Sequence, residues 1–337
     1  MHSGNSSSST APAIKAEDTV LVADIGGTNA RFALSTADLA LSNIVSLRCQ
    51  DYSDITAAIT AYLQTCQSQQ HPQHSPQPER ICLAVAAATD QDEIKLTNND
   101  WQFSQHALAQ TFAMPVTAIN DFTAQAWCLP GLGDTDVNWI HRVGPNDINW
   151  SQGNRSIAGP GTGFGAATMT FSREVLESEP GQCAFAPLTP RQLAILVHLW
   201  DSYPRVTPDY LLSGPGLSNI YSAIFVLSTG KDAEPMSAAD IAVAARHGDR
   251  LAQQSLDEFS KILGAVCGDM ALSMGSLGGF FLSGAMLQKL DELFNRDMFM
   301  AAFINKGNFS HWCQRVPVAM IKTTDPGLQG CAAYSHR

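Results

Sequence analysis

Hydrophobic positions along this 337-residue chain fall into short apolar runs separated by longer amphipathic stretches. Residues 19–23 form one such run, which meets the pair Gly26 and Gly27; residues 31–35 then resume an extended pattern, so strand, turn, strand is predicted. Helical spacing follows over 55–63. The polar, Pro-containing tract QTCQSQQHPQHSPQPER (64–80) reads as a surface loop. A buried strand over 81–87 and a helix opening near Ser104, a good N-cap residue type, lead to a strand ending at Asn120 and Asp121, with a helix behind it. LPGLGDTD (129–136) is a loop and the natural boundary, because the alternation restarts at 156–158. The second half is helix-rich, over 191–203, 217–228, 238–247 and 251–274, and the last helix runs into Gly275, a residue suited to a helix C-terminus. Strands over 280–283 and 316–321 complete a pattern of strands alternating with helices, which is that of an α/β fold.

Composition narrows the partners. Hydrophobic residues make up 45% of the chain and charged ones only 15%, against a usual ~25%. Acidic residues outnumber basic ones by 31 to 20, and no Lys/Arg cluster offers the footprint that a phosphate backbone requires, so nucleic acid is excluded as a partner. The eight cysteines include no CxxC pair and read as the reduced thiols of a cytoplasmic protein. Residues 1–18 are Ser-rich without a basic start or an apolar segment, which predicts a disordered tail rather than an export signal. The longest apolar stretch, 263–286, contains Asp269 and several glycines, whereas a membrane span needs ~20 nearly uninterrupted apolar residues. A buried helix followed by a strand fits it better, and no membrane partner is expected.

Three segments could carry chemistry. In ADIGGTNAR (23–31) a carboxylate precedes two glycines between strands; the glycines permit close backbone approach, so that N–H groups can face phosphate oxygens and Asp24 can hold a hydrated Mg²⁺. An ordinary Gly-Gly hairpin is the plainer alternative. GPGTGFG (159–165) is a second glycine turn between strands; it is neither a GxGxxG opening a helix nor a GK[ST] loop. Two such turns suggest a nucleotide held from two lobes, although a structural glycine loop also satisfies this segment alone. INDFTAQA (119–126) puts Asp121 at the C-terminal end of a strand, where α/β proteins open their ligand crevice, or else at a helix N-cap. His71 and His74 sit in the Gln/Pro tract without cysteine companions and read as solvated loop residues. No HExxH, zinc-finger spacing or GxSxG elbow occurs.

Taken in order, DIGGTNAR, TNNDWQFS (97–104), INDFTA, GPGTGFG, FAP (185–187), LLSGPGL (211–217), GGFFLSG (278–284) and DPGLQG (325–330) resemble the bacterial glucokinase family of actin-like, hexokinase-type sugar kinases, over residues 19–333. The resemblance implies a two-lobed, ribonuclease H-like α/β fold. Its small domain would comprise 19–131 with a returning segment 322–337, its large domain 132–321, and ATP and sugar would meet in the cleft between them. It implies ATP with Mg²⁺ against Ala23, Asp24, Ile25, Gly26, Gly27 and Thr28 on one side and Gly161, Thr162 and Gly163 on the other, with Gly284 at the adenosine and Asp24 toward the metal. Glucose would lie on Asn120, Asp121, Glu179, Gln182 and Asp209, with Asp121 as the base that activates the 6-hydroxyl, in an enzyme that forms homodimers. This chain departs from the family pattern at three positions: Gln182 stands in place of a histidine, Asp209 in place of a glutamate, and Ala285 in place of a second glycine. All but Ala285 fall on the sugar side, so a kinase for another hexose or an amino sugar, or a non-catalytic sugar or nucleotide sensor, are the competing expectations.

Overall fold

The computed structural model describes residues 18–69, 77–97, 99–144 and 153–337. The Ser-rich tail before Asp18, and His71 and His74, lie outside the described residues. The first half builds β1 (Val20–Ile25), β2 (Asn29–Ser35), β3 (Leu41–Arg48), α1 (Ile55–Gln69), β4 (Arg80–Val85), β5 (Glu93–Lys95), β6 (Gln102–Ser104), α2 (Gln105–Phe112), β7 (Val116–Asn120) and α3 (Asp121–Cys128). The second builds β8 (Val137–His141), β9 (Arg155–Pro160), β10 (Phe164–Met169), β11 (Val175–Ser178), α4 (Pro190–Trp200), α5 (Gly214–Thr229), α6 (Ala238–Arg246) and α7 (Arg250–Met274). It continues through β12 (Gly279–Leu282), α8 (Ala285–Leu290), α9 (Arg296–Ile304), α10 (Ser310–Cys313), β13 (Val318–Ile321) and α11 (Pro326–Ser335).

Two sheets result, with orders β3-β2-β1-β4-β7 and β11-β10-β9-β12-β13-β8. Each begins with an antiparallel three-strand meander, and each continues from the first strand of that meander into two parallel strands. The repeated topology puts the two glycine turns at equivalent places, the β1–β2 and β9–β10 hairpins. The resulting fold is the two-lobed actin-like one. Strand β1 is buried on both faces, as a central strand flanked by helices should be: Leu21, Ala23 and Ile25 pack with Ile55, Ile59 and Tyr62 of α1, while Val20 and Val22 face Leu328 and Cys331 of α11.

Helix α3 joins the lobes. Ala124 packs with α11 and the first sheet, and Ala126 and Leu129 pack with Ile157, Ala167 and Phe281 of the second. The approach of α11 to α3 is close enough that a Cβ on Gly330 would lie 1.6 Å from the Ala124 carbonyl oxygen. The chain's last helix thereby returns to the first lobe.

Most predicted elements are present within a few residues. Ser104 caps α2 by accepting the Ala107 N–H at 3.0 Å, and α7 ends at Gly275 with φ 63°. Helix α1 overruns its predicted end and takes residues 64–69 from the expected loop, because Cys66 extends the buried stripe Ile55, Ala58, Ile59, Tyr62 by one more turn. Strand β3 was not expected: it is an edge strand whose residues alternate between half-buried and exposed, so no continuous apolar run announces it. No described helix is long and apolar enough to cross a membrane.

Candidate active site

Strand β7 ends at Asn120, and α3 starts at the next residue. Asn120 is the N-cap: its Oδ1 accepts the N–H groups of Phe122 (2.9 Å) and Thr123 (3.2 Å), leaving Asp121 as the first helical residue. The capping role open to Asp121 is therefore filled by its neighbour. Asp121 Oδ1 accepts the Phe122 N–H at 2.9 Å, and its carboxylate lines a cavity of about 440 Å³. Phe122 turns a ring edge to Gly165, where a Cβ would come within 2.1 Å of it, so the glycine sets how closely β10 approaches the start of α3.

The cavity lies between the lobes. Asn120, Asp121, Phe122 and Gln125 line it from the end of β7 and the start of α3, Gly159–Ala166 from the second glycine turn, Glu179 and Gln182 from the turn after β11, with Asp209 and Gly284 beside them. Backbone segments abut behind it. A Cβ on Gly159 would sit 2.0 Å from the Ser283 carbonyl oxygen, and Gly284, at φ 111°, is 2.8 Å by the same measure from that of Pro160. Ser283 Oγ donates to Gln125 Oε1 at 2.5 Å and fastens the end of β12 to α3.

Negative charge dominates this space, and none of its lining residues is Lys or Arg. The Asp121 carboxyl is pushed up to about 7, by burial first and then by the charge of Asp24, with the Phe122 N–H opposing the rise and Glu179 adding to it. Asp24 is itself raised to about 6 by burial, with Arg31 lowering it and Asp325 raising it. Glu179 is also raised, by burial first and then by Asp209 and Glu177. A cluster of carboxylates that resist ionising together favours a cation among them. No group of three or more His, Cys, Asp or Glu among the described residues could cage a metal. Single carboxylates such as Asp121 and Glu179 at the cavity are donors of the kind Mg²⁺ accepts, since it keeps most of its waters and takes one or two carboxylates plus phosphate oxygens.

Nine of the expected site residues thus meet at one cavity: Asn120, Asp121, Gly161, Thr162, Gly163, Glu179, Gln182, Asp209 and Gly284. The first glycine turn does not line it. Ala23 and Ile25 put their side chains in the core of the first sheet, and Asp24 lies against Gly327 and near Arg31 and Asp325, close enough to raise Asp121 by its charge. Two of the N–H groups expected to face phosphate close their own turns instead, Gly26 to Asn29 O at 2.9 Å and Gly161 to Gly163 O at 2.8 Å. Gln125, Thr97 and Ala86–Ala88 also line the cavity. Their only sequence signal was membership of the quoted motifs around 97–104 and 119–126, and of the apolar run that ends at 87.

The glucokinase family model matches residues 21–337. A glucokinase from Chromohalobacter salexigens is 36% identical over 322 residues, covering 94% of this chain and 97% of that protein. The "Bifunctional protein glk" of Burkholderia orbicola is 34% identical across 93% of this chain but 48% of its own length, so the chain spans about half of that relative. Among solved structures, a glucokinase from an Antarctic psychrotroph superposes with a TM-score of 0.82 at 34% identity, covering 95% of this chain and 99% of that one. With that coverage at both the sequence and the backbone level, the chain belongs to the glucokinase family.

Proposed function

We propose that the protein transfers the terminal phosphoryl group of Mg-ATP to the 6-hydroxyl of glucose, as a cytoplasmic enzyme whose lobes are residues 19–131 with 322–337 and residues 132–321. The observation that carries this reading is the Asp121 carboxyl, which lines the interlobe cavity with an affinity for protons matched to neutral pH. A base with a pKa near the working pH combines adequate ionisation with adequate basicity. Mg-ATP would supply the electrophilic phosphorus, with Mg²⁺ offsetting the negative charge of the phosphates beside an acidic cavity. Asp121 takes the proton from the attacking hydroxyl. Asn120, with its side-chain oxygen committed to the cap, offers its amide nitrogen to the sugar, while Glu179 and Gln182 orient the ring with Asp209 beside Gln182. The N–H groups of Gly27, Thr28 and Gly163 are the donors suited to phosphate, with Thr162 beside them and Gly284 at the nucleoside. Asp24 serves the metal through its water shell. Because phosphoryl transfer depends mainly on positioning and charge stabilisation, these fixed donors account for most of the catalysis.

The test is steady-state formation of glucose 6-phosphate from Mg-ATP and glucose by the purified protein and by Asp121→Ala. The wild type should turn over, and the variant should lose at least a hundredfold in kcat, a typical general-base contribution being about 10²–10⁴. Unchanged turnover in Asp121→Ala would remove Asp121 from the reaction. One observation supports another hexose or an amino sugar as acceptor: the hydrogen bond between Gln182 and Asp209 sets a neutral amide beside the ring. Comparing kcat/KM across a panel of hexoses separates the two readings.

A further inference from the structure

The Asp209 carboxylate is bound from two sides. It stands on a single 3₁₀ turn (Pro208–Tyr210) shortly before α5. Its Oδ1 accepts the N–H of Phe164, the first residue of β10 after the second glycine turn, at 2.7 Å. Its Oδ2 accepts from Gln182 Nε2 at 2.8 Å. Two glycines make room for it, since a Cβ on Gly163 would lie 3.2 Å from Oδ2 and one on Gly181 would lie 2.4 Å from Oδ1. The backbone around it is fastened as well: Ser213 Oγ donates to the Asp209 carbonyl at 2.7 Å, and the Gly214 N–H to the Gly161 carbonyl at 2.9 Å. One carboxylate therefore connects the glycine turn, the turn that carries Gln182, and the start of α5. Hydrogen bonds to an ionised acceptor are about twice as strong as neutral ones, which suits a group that must hold two backbone segments at once.

The geometry points to Asp209 as a positioning residue that couples the two halves of the cleft, fixing the glycine turn through Phe164 and the orientation of the Gln182 amide through Oδ2. This rests on the proposed kinase reading for what each half binds. With one Nε2 hydrogen committed to Asp209, the orientation of the Gln182 amide is fixed, and its oxygen and remaining N–H are set in defined directions for a sugar hydroxyl, so Asp209 governs sugar selectivity through its neighbour. The two departures from the family pattern on the sugar side are thus one unit.

The substitution Asp209→Asn separates the two connections. The introduced amide can still accept the Phe164 N–H through its oxygen, but its nitrogen cannot accept from Gln182, whose own amide must then turn over. The experiment compares wild type, Asp209→Ala and Asp209→Asn by three readouts: calorimetric affinity for a non-hydrolysable ATP analogue with Mg²⁺, hydrogen exchange at the Phe164 amide, and KM for glucose. Losing a charged hydrogen bond is expected to cost about tenfold. Asp209→Ala should weaken analogue binding and speed Phe164 exchange by about that factor, and should raise KM for glucose. Asp209→Asn should keep analogue affinity and Phe164 protection within about threefold of wild type while KM for glucose still rises about tenfold. If Asp209→Ala raises KM alone, with exchange and analogue affinity as in wild type, Asp209 is a plain sugar contact and the coupling is refuted. It is equally refuted if Asp209→Asn loses Phe164 protection or leaves KM for glucose unmoved, and that variant decides the matter if the alanine variant does not fold. A wild type that makes no glucose 6-phosphate defeats the kinase reading, while exchange and analogue binding still judge the coupling.

Discussion

Replacing Asp121 by Asn should stabilise the ligand-free protein, and increasingly so as the pH rises. Asparagine copies the shape of the protonated carboxyl and keeps the bond from the Phe122 N–H, while removing the charge that burial, Asp24 and Glu179 all resist. The sign follows from linkage. A carboxyl whose folded pKa of about 7 exceeds the unfolded 3.8 favours the folded state fully below 3.8, and that contribution is lost as pH rises through 7. At about 1.4 kcal/mol per pH unit, the penalty reaches roughly 4 kcal/mol above pH 7 and roughly 1.5 kcal/mol at pH 5. Water in the cleft and relief of charge on Asp24 and Glu179 reduce the difference between those conditions to about 2 kcal/mol. Denaturant unfolding of wild type and Asp121→Asn at pH 5 and pH 8 measures it. A gain from the substitution that is clearly larger at pH 8 is expected. A gain independent of pH, or a wild type more stable than the variant at pH 8, would refute the claim that this carboxylate is held in an environment hostile to its charge.

Further outcomes follow from the same geometry. The kcat/KM for glucose should rise between pH 5.5 and pH 8.5 with an inflection near 7, since the base of the free enzyme must be ionised to accept a proton; a flat kcat/KM profile over that range counts against Asp121 as the base. Gly165→Ala puts a methyl group 2.1 Å from the Phe122 ring and shifts the residue beside Asp121, so kcat should fall by about a hundredfold in a protein that still folds, as circular dichroism would verify. Gly330→Ala drives a Cβ to 1.6 Å from the Ala124 carbonyl oxygen and should destabilise the protein by about 3 kcal/mol or more, read as a lowered melting temperature.

Parts of this site were legible in the sequence because chemistry and secondary structure coincide there. A carboxylate at the end of an apolar strand and glycines between two strands are local signals: β7 does end just before Asp121, and the second glycine turn does join β9 to β10. What stayed hidden depends on contacts distant along the chain. That Asn120 takes the cap and leaves Asp121 to the cavity is settled by hydrogen-bond geometry that residue types alone do not give. The Gln182–Asp209 bond spans 27 positions, and the Ser283–Gln125 bond spans 158. Ala23 and Ile25 were expected beside the nucleotide, but β1 runs through the centre of its sheet, so their side chains serve the core. Strand β3 escaped notice because an edge strand buries too little to show a run, and α1 was cut short because Cys66 lies in a tract whose other residues are polar.

The account depends most on which atom of the sugar meets Asp121. A crystal structure with glucose and a non-hydrolysable ATP analogue bound tests this directly. The predicted result is the glucose 6-hydroxyl oxygen about 2.6–3.2 Å from an Asp121 carboxylate oxygen and facing the terminal phosphate. Glucose bound away from Asp121, or turned so that another hydroxyl faces the phosphate, would contradict it.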